Sequence, residues 1–541
     1  MNPGNMMNRR NWIKTSGSMA GAMMLGPQLS WAQDKPQDND IHLQPQWDQG
    51  TAIRHTWAGL GNVDQLRWIT RRDMQDQLAL CHKEIGLKHV RAVGAFDDDL
   101  WVLSRDPAQY FNKDRSIKEG TRINWRTPLY IYDSLVSLGL SPVVTPCFTP
   151  TEMASGEKTV FRTRNNVTPP SDWKAWERVV SDFIRALVDR YGIETLKTWY
   201  FEAWNEPNLD GFWTGGKEGY WQLYRVLHDV IKSIDPGLRI GGPSTARGEW
   251  IQDMLEFGQK NDCTPDYMIG HCYNNDSAAA PLSPFDGPQK DKENRSPNFT
   301  AGVVRGITKI LRDNDFRGEF HMNEWGLSWY PYNPVRETAN EAAFIIKTMN
   351  EVSQEADYFA YWCLSDIYNQ VGYGREAFHG NYGMLSMDGL RKPNYFAHQL
   401  LNRLGQEKVP VAGKGTSDLV NAFATKSSDG YQVMVYAFDI NYQAGNAPGK
   451  CAVTLDLPGG IDPATARIYR LDDDHNNILK SWNEMGNPAI PTARQLDRLR
   501  QENELGSEKA GNLIKTFKKG YQAVLDMPNP GVVLLEVDKR S

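Results

Sequence analysis

Eight short runs rich in β-branched and aromatic residues recur between residues 53 and 366, and an amphipathic helical stretch separates each from the next. The runs are IRHTWAGL, HVRAVGAF, SPVVTPCF, TWYFEAWNEP, RIGGPST, YMIGHCYN, EFHMNEWG and YFAYWCLSD. Short, apolar and bounded by turn residues, they read as strands. The stretches between them carry the helical period. In DWKAWERVVSDFIRALVDRYG, for example, Trp176, Val179, Phe183, Leu187 and Tyr191 recur at steps of three or four and share one face. Strand and helix in strict alternation place the chain in the α/β class. Eight units over about 350 residues fit a closed (β/α)8 TIM barrel better than an open doubly wound sheet, which is the structural alternative.

After about residue 400 the texture changes. YQVMVYAFDI, CAVTLDL, ARIYRLD and GVVLLEV read as strands with no helix of barrel length between them, apart from the charged stretch TARQLDRLRQENEL. That pattern predicts an accessory β-sandwich over 405–541, behind a catalytic barrel over 35–404. Residues 1–34 stand apart from both. MNRRNWIKTSGSMAGAMMLGPQLSWAQ has a basic opening, a Gly/Ala/Met stretch and a small-residue cleavage site ending at Ala32. Arg9-Arg10 within it gives a twin-arginine-like export signal, so a bacterial periplasmic or secreted protein is expected. No later segment is apolar for long enough to span a bilayer.

Composition narrows the partners. The formal net charge is −6 with both signs mixed along the chain, which argues against a nucleic-acid partner that needs a basic face. No strand-following G-x-G-x-x-G, P-loop or clustered His/Cys set occurs, so no cofactor and no metal is implied. The six cysteines are scattered and read as small buried apolar residues. Homo-oligomerisation is left open.

The chemistry is carried by two acids. Glu206, in WYFEAWNEPNLDGFW, ends the fourth strand, and Glu324, in FHMNEWG, ends the seventh. In a closed barrel both carboxylates then project across one mouth, where such enzymes build their sites. Facing carboxylates are what cleavage of a glycosidic bond requires: one acid protonates the leaving oxygen and one carboxylate attacks or stabilises the oxocarbenium-like carbon. Trp204, Pro207, Phe212 and Trp213 surround Glu206 with apolar groups that would raise its pKa. Glu206 is therefore assigned as acid/base and Glu324 as nucleophile. The loop at 275–298, rich in Pro, Ser, Ala and charge, follows the sixth strand on the same face.

YFEAWNEPNLDGFW, NEWG, YWCLSDIY, FHGNYGML and the late RLDDDHNNILKSWNEMGNPAIPT resemble glycoside hydrolase family 39, the family of β-xylosidases and α-L-iduronidase. The likeness runs from about Trp57 to the end of the chain and includes NNVTPPSDWKAWE. It implies a retaining double displacement on a carbohydrate, an oligosaccharide or a glycoside. It also implies roles one residue at a time: Asn205 on the sugar 2-hydroxyl, Tyr273 touching the nucleophile, His271 contacting the sugar, Arg91 holding the nucleophile ionised, and Trp362 as the platform under the sugar. Trp213 is added as a further contact. Where family xylosidases read Arg-Phe-His-Gly, His-His-Tyr and Ser-Asp-Ile-Phe-Glu-Glu, this chain has Arg91-Ala92-Val93-Gly94, His271-Cys272-Tyr273 and Ser365-Asp366-Ile367-Tyr368-Asn369-Gln370. Fewer hydrogen-bonding partners for sugar hydroxyls would alter the glycone preference. Asn369 and Gln370 in place of two acids would ease approach of a uronic acid, with Arg375 as its carboxylate partner. A β-xylosidase, a glycosidase for an acidic sugar or endo-acting on oligosaccharide, and a catalytically silent carbohydrate-binding protein are the three readings. The retained pair favours the enzymes.

Overall fold

The computed structural model describes residues 41–104, 122–276, 296–370, 372, 374–417 and 419–540. The stretch at 1–34 expected to be an export signal and most of the loop at 275–298 lie outside them. The eight expected strands form one sheet of eight parallel strands: β1 (Leu60–Gln65), β2 (His89–Val93), β3 (Ser141–Val144), β4 (Tyr200–Glu202), β5 (Arg239–Thr245), β6 (Tyr267–Tyr273), β7 (Glu319–Gly326) and β8 (Tyr358–Tyr361). Neighbours in sequence are neighbours in the sheet. Leu364 N–H donates to Asn62 O at 2.9 Å just past β8, bringing the last strand back to the first. One long helix follows each strand, from Arg72–Ile85 after β1 to Pro393–Leu401 after β8, which is the (β/α)8 barrel.

Local chemistry sets these elements. The helix Trp173–Tyr191 starts where the Asp172 side chain accepts Lys174 N and Ala175 N, a cap that contributes about 1 kcal/mol. It stops at Gly192, whose φ of 80° suits a residue without Cβ. Trp176, Val179, Phe183 and Leu187 are its buried stripe, as the period predicts. Inside the barrel, Leu60, Val143, Tyr200, Tyr267, Ile269 and Ala360 pack as a mainly apolar floor near the strands' starts. Polar residues take over at the carboxyl ends, and the site is built there.

The first strand lies later than the apolar pattern suggests, at Leu60–Gln65 rather than in IRHTWAGL. LGNVDQ is buried throughout although half of it is polar. Asn62 Nδ2 reaches Asn323 O, Ala360 O and Tyr361 O at 2.8, 3.1 and 3.2 Å, so the side chain staples β1 to β7 and β8 from within. Hydrogen bonding here replaces the hydrophobic signal.

The boundary at residue 35 also moves. Ile41–Pro45 pairs with Val411–Lys414 and with Gly449–Leu457, and Thr51–Ala52 pairs with Glu407–Val409. Residues 41–52 thus belong to the accessory sheets, not to the barrel, because Ile41 and Leu43 alternate inward and fill their core. Those sheets have five and seven strands, and Leu43, Val435, Val453, Leu455, Leu525 and Leu535 pack between them. The charged stretch forms the helix Ala493–Gln501, begun by a Thr492/Gln495 capping box. Its Leu499 joins Trp482, Phe378 and Leu390, so this insert braces the loop that follows β8.

Candidate active site

β4 ends at Glu202, and four residues later the chain turns at Glu206 with φ 47°, in the left-handed region that non-glycine residues seldom adopt. Glu206 is therefore held beyond the strand end rather than on it. Its N–H donates to Ser244 O of β5 at 2.9 Å, and Trp204 is buried against Phe148 and Trp213 on the other side. Such a turn, pinned by its neighbours, is typical of residues positioned for chemistry. Glu324 is aimed by a different device. The pairing of β6 with β7 slips between Gly270 and His271, so that Gly270 faces Met322 and His271 faces Glu324. The slip lets consecutive residues Asn323 and Glu324 both turn inward, where strict alternation would send one of them out.

Arg91 of β2 ties Glu324 to Glu202 and Asn205. Its Nε and Nη2 grip Glu202 at 2.7 and 2.9 Å, Nη1 reaches Glu324 Oε2 at 3.1 Å, and Nη2 also reaches Asn205 Oδ1 at 2.6 Å. Ser244 Oγ adds a third donor to Glu202 at 2.5 Å. Burial opposes ionisation of Glu202, yet the Arg91 charge and its hydrogen bonds outweigh burial and hold the carboxyl below its ordinary range. The sequence reading passed over Glu202 although it lies four residues before Glu206. An acid inside an otherwise apolar strand, in a chain with an arginine inside another, was the available signal, since buried charges are paired.

The two candidate catalytic acids have unlike surroundings. Glu324 is gripped at both oxygens, Oε2 by Arg91 and Oε1 by Tyr273 Oη at 2.9 Å. Burial and the Glu206 charge raise its pKa, while His271, Arg91 and the Tyr273 hydroxyl oppose them. Among the described residues Glu206 has no comparable donors: His271 Nδ1 lies 3.1 Å from Oε1, and burial pushes its pKa up to about 7 against Arg91 and Arg247. His271 is itself driven down to about 4 by burial, so near neutral pH the imidazole is uncharged. Of the pair, Glu324 is the one held by donors at both oxygens, and Glu206 is the one that burial leaves holding a proton to about pH 7.

A consequence for stability follows from that value. Folded Glu206 holds its proton to about pH 7, whereas an unfolded glutamate loses it near 4.5, so the folded state binds more protons in this window and stability falls as pH rises through it. Glu206→Gln is neutral at every pH. In urea it is expected to be more stable than the wild type above pH 7 by up to about 3 kcal/mol, and the gap closes below about pH 4.5. A constant gap across that range would contradict the assignment of the proton.

A cavity of about 320 Å³, a size suited to a small ligand, opens over the pair. Asn205, Glu206, Tyr273, Glu324, Trp362 and Gln370, all named from the sequence, line it. With Asn205 Oδ1 held on Arg91, the amide NH2 is the end left to meet a hydroxyl. Arg91, expected beside the nucleophile, lies buried beneath the cavity with Nη1 on Glu324, whereas His271, expected to contact the sugar, is buried there against Glu206 instead. Three expected contacts are not brought to it. Trp213 is buried behind Trp204 at 4.8 Å between ring centroids, with Nε1 on Gly216 O. Asn369 is turned away by Arg67 Nη2 at 2.9 Å, and Arg375 is exposed outside the cavity. The lining also includes Val93, Arg247, Asp276, Trp329, Tyr368 and Tyr382, whose loops come from several strands and share no local pattern.

Glu206, His271 and Glu324 are the group among the described residues with ligand-capable atoms close together, within 4.8 Å of one another. The Arg91 guanidinium already occupies Glu324 Oε2, and its positive charge beside the trio opposes a metal cation.

The comparisons with known proteins point one way. The family model described as Glycosyl hydrolases family 39 matches residues 40–515. The chain belongs to this family. Among curated relatives, a beta-xylosidase of Caldicellulosiruptor saccharolyticus is 29% identical over 464 residues, covering 84% of this chain and 90% of the relative. A beta-xylosidase of Geobacillus stearothermophilus is 28% identical over 451 residues, 83% and 86% of the two chains. Among solved structures, a monomeric beta-xylosidase from Caulobacter crescentus CB15 superposes with a TM-score of 0.76 at 25% identity, covering 93% of this chain and all of that one. Membership in family 39 makes this protein a glycoside hydrolase, and its substrate a carbohydrate.

Proposed function

We propose that this family 39 enzyme is an exported, retaining β-xylosidase with Glu206 as acid/base and Glu324 as nucleophile. The observation that carries the reading is the approach of the two carboxylates. Their nearest oxygens lie within 4.8 Å of one another, short of the roughly 6.5–9.5 Å that admits a water in inverting pairs and on the side of the roughly 5–5.5 Å spacing of retaining ones. In the first step Glu324 attacks the anomeric carbon while Glu206 gives its proton to the departing glycosidic oxygen. In the second, Glu206 takes a proton from water, whose oxygen attacks the same carbon and releases Glu324. Arg91 and Tyr273 hold the nucleophile's oxygens throughout, and the Asn205 amide is placed for the 2-hydroxyl, a contact that strengthens in the transition state.

The two curated relatives named beta-xylosidase, matched over most of their length, support a xylose glycone. The uronide reading loses its anchor, since Arg375 stands outside the cavity. Release of nitrophenol from the β-xyloside, set beside the β-glucoside, β-galactoside, α-arabinoside and uronides, tests the proposal. The β-xyloside is expected to be cleaved fastest, and preference for a uronide would refute the glycone. Export rests on Arg9-Arg10 and the site at Ala32. N-terminal sequencing of protein from the periplasmic fraction should begin at Gln33, and an intact Met1 there would oppose cleavage at that site.

A further inference from the structure

One carboxyl in the cavity has no part in the two steps above. Asp276 follows β6 by three residues and is tied to Tyr273 twice: its N–H donates to Tyr273 O at 3.0 Å, and its Oδ2 accepts Tyr273 N at 2.8 Å. This reciprocal turn fixes the side chain on the cavity wall beside Glu206. No described residue donates to Oδ1. Burial raises the carboxyl's pKa to about 7 despite the Tyr273 N–H, yet the residue is only half-buried and its Oδ1 stays open to the cavity. An acceptor oxygen open to the cavity can take a hydroxyl of a bound molecule in place of water.

Topology says which part of a substrate that is. A line from β4 to β7, the strands that carry the catalytic pair, divides the barrel mouth in two. On the β8–β1–β2 side stand Trp362, Tyr368, Gln370 and Val93, with Arg91 below them holding Asn205, so the cleaved sugar lies there. The leaving group must then extend over the β5–β6 side. That side is walled by Ala246 and Arg247 from the loop after β5 and by Asp276 after β6, with Leu209 and Phe212 next to the acid.

We propose that Asp276, with Arg247 beside it, is the polar wall of a leaving-group subsite that takes a second sugar residue, Asp276 Oδ1 accepting a hydrogen bond from one of its hydroxyls. The inference rests on the retaining reading above and adds the class of leaving group. A nitrophenyl group has no hydroxyl to donate, so it gains nothing from Asp276.

The test is a ratio: kcat/KM on a disaccharide divided by kcat/KM on the nitrophenyl glycoside of the same glycone, in the wild type, Asp276→Ala and Asp276→Asn. A ratio cancels differences in the amount of correctly folded enzyme. It is expected to fall by several-fold to about tenfold in Asp276→Ala, the loss of one hydrogen bond, with KM for the disaccharide rising, and by less in Asp276→Asn, which keeps an acceptor. An unchanged ratio in Asp276→Ala overturns the proposal. Should the wild type ignore the β-xyloside, the glycone reading fails instead, and the ratio is taken on whichever glycone the panel identifies.

Discussion

Glu324→Gln is expected to lower kcat on an aryl glycoside by about ten-thousandfold or more, a rise of at least about 5 kcal/mol in the barrier, while the protein stays folded. The substitution is isosteric, and the amide oxygen can still accept from Arg91 Nη1 at Oε2 or from Tyr273 Oη at Oε1, though not both donors at full strength. What it removes is the nucleophile: a neutral amide cannot form the glycosyl ester. The Arg91 charge keeps its two-point grip on Glu202, so the network beneath the site survives the loss of its upper partner. Unchanged circular dichroism beside the lost turnover would separate this from unfolding. A variant that kept a tenth of wild-type kcat would remove Glu324 from the role.

Glu206→Ala should behave differently, and the contrast identifies the acid. Without the proton donor, the first step slows by about a hundred- to ten-thousandfold for a sugar leaving group, and far less for a nitrophenolate that departs without protonation. With the activated substrate, the second step then limits the rate, because no base accepts the proton of water. Azide, which needs no base, should restore turnover and yield a glycosyl azide of retained configuration. Equal losses on good and poor leaving groups, with no effect of azide, would assign the acid elsewhere. Wild-type kcat/KM should decline above about pH 7 as Glu206 loses the proton that burial holds on it.

The barrel was readable because its strands and helices each obey one period. The stripe Trp176, Val179, Phe183, Leu187 is buried as a stripe, and the strand–helix order closes as parallel neighbours. The first strand was misplaced because Asn62 and Asp64 do there by hydrogen bonding what apolar residues do elsewhere. Ile41–Pro45 could not be assigned by pattern alone, since its partners are some 370 residues and more away. At the site, the residues that carry a motif, Asn205, Glu206 and Glu324, come to one cavity, and Arg91 lies against Glu324 as the family resemblance implies. Trp213 shows the limit: an aromatic beside an acid in sequence can lie behind it in space, here shielding Trp204. Asp276 and Arg247 were missed for the converse reason. Each lies on its own loop, and only the fold brings them to Glu206.

The central claim is that Glu324 forms a covalent bond to the sugar. Incubation with a 2-deoxy-2-fluoro xylosyl donor bearing a good leaving group slows both steps and should trap that species. Peptide mass analysis of the digested enzyme is expected to place one fluoroxylosyl group on Glu324. A label on another residue, or steady turnover of the aryl xyloside by an enzyme that never becomes labelled, would contradict it.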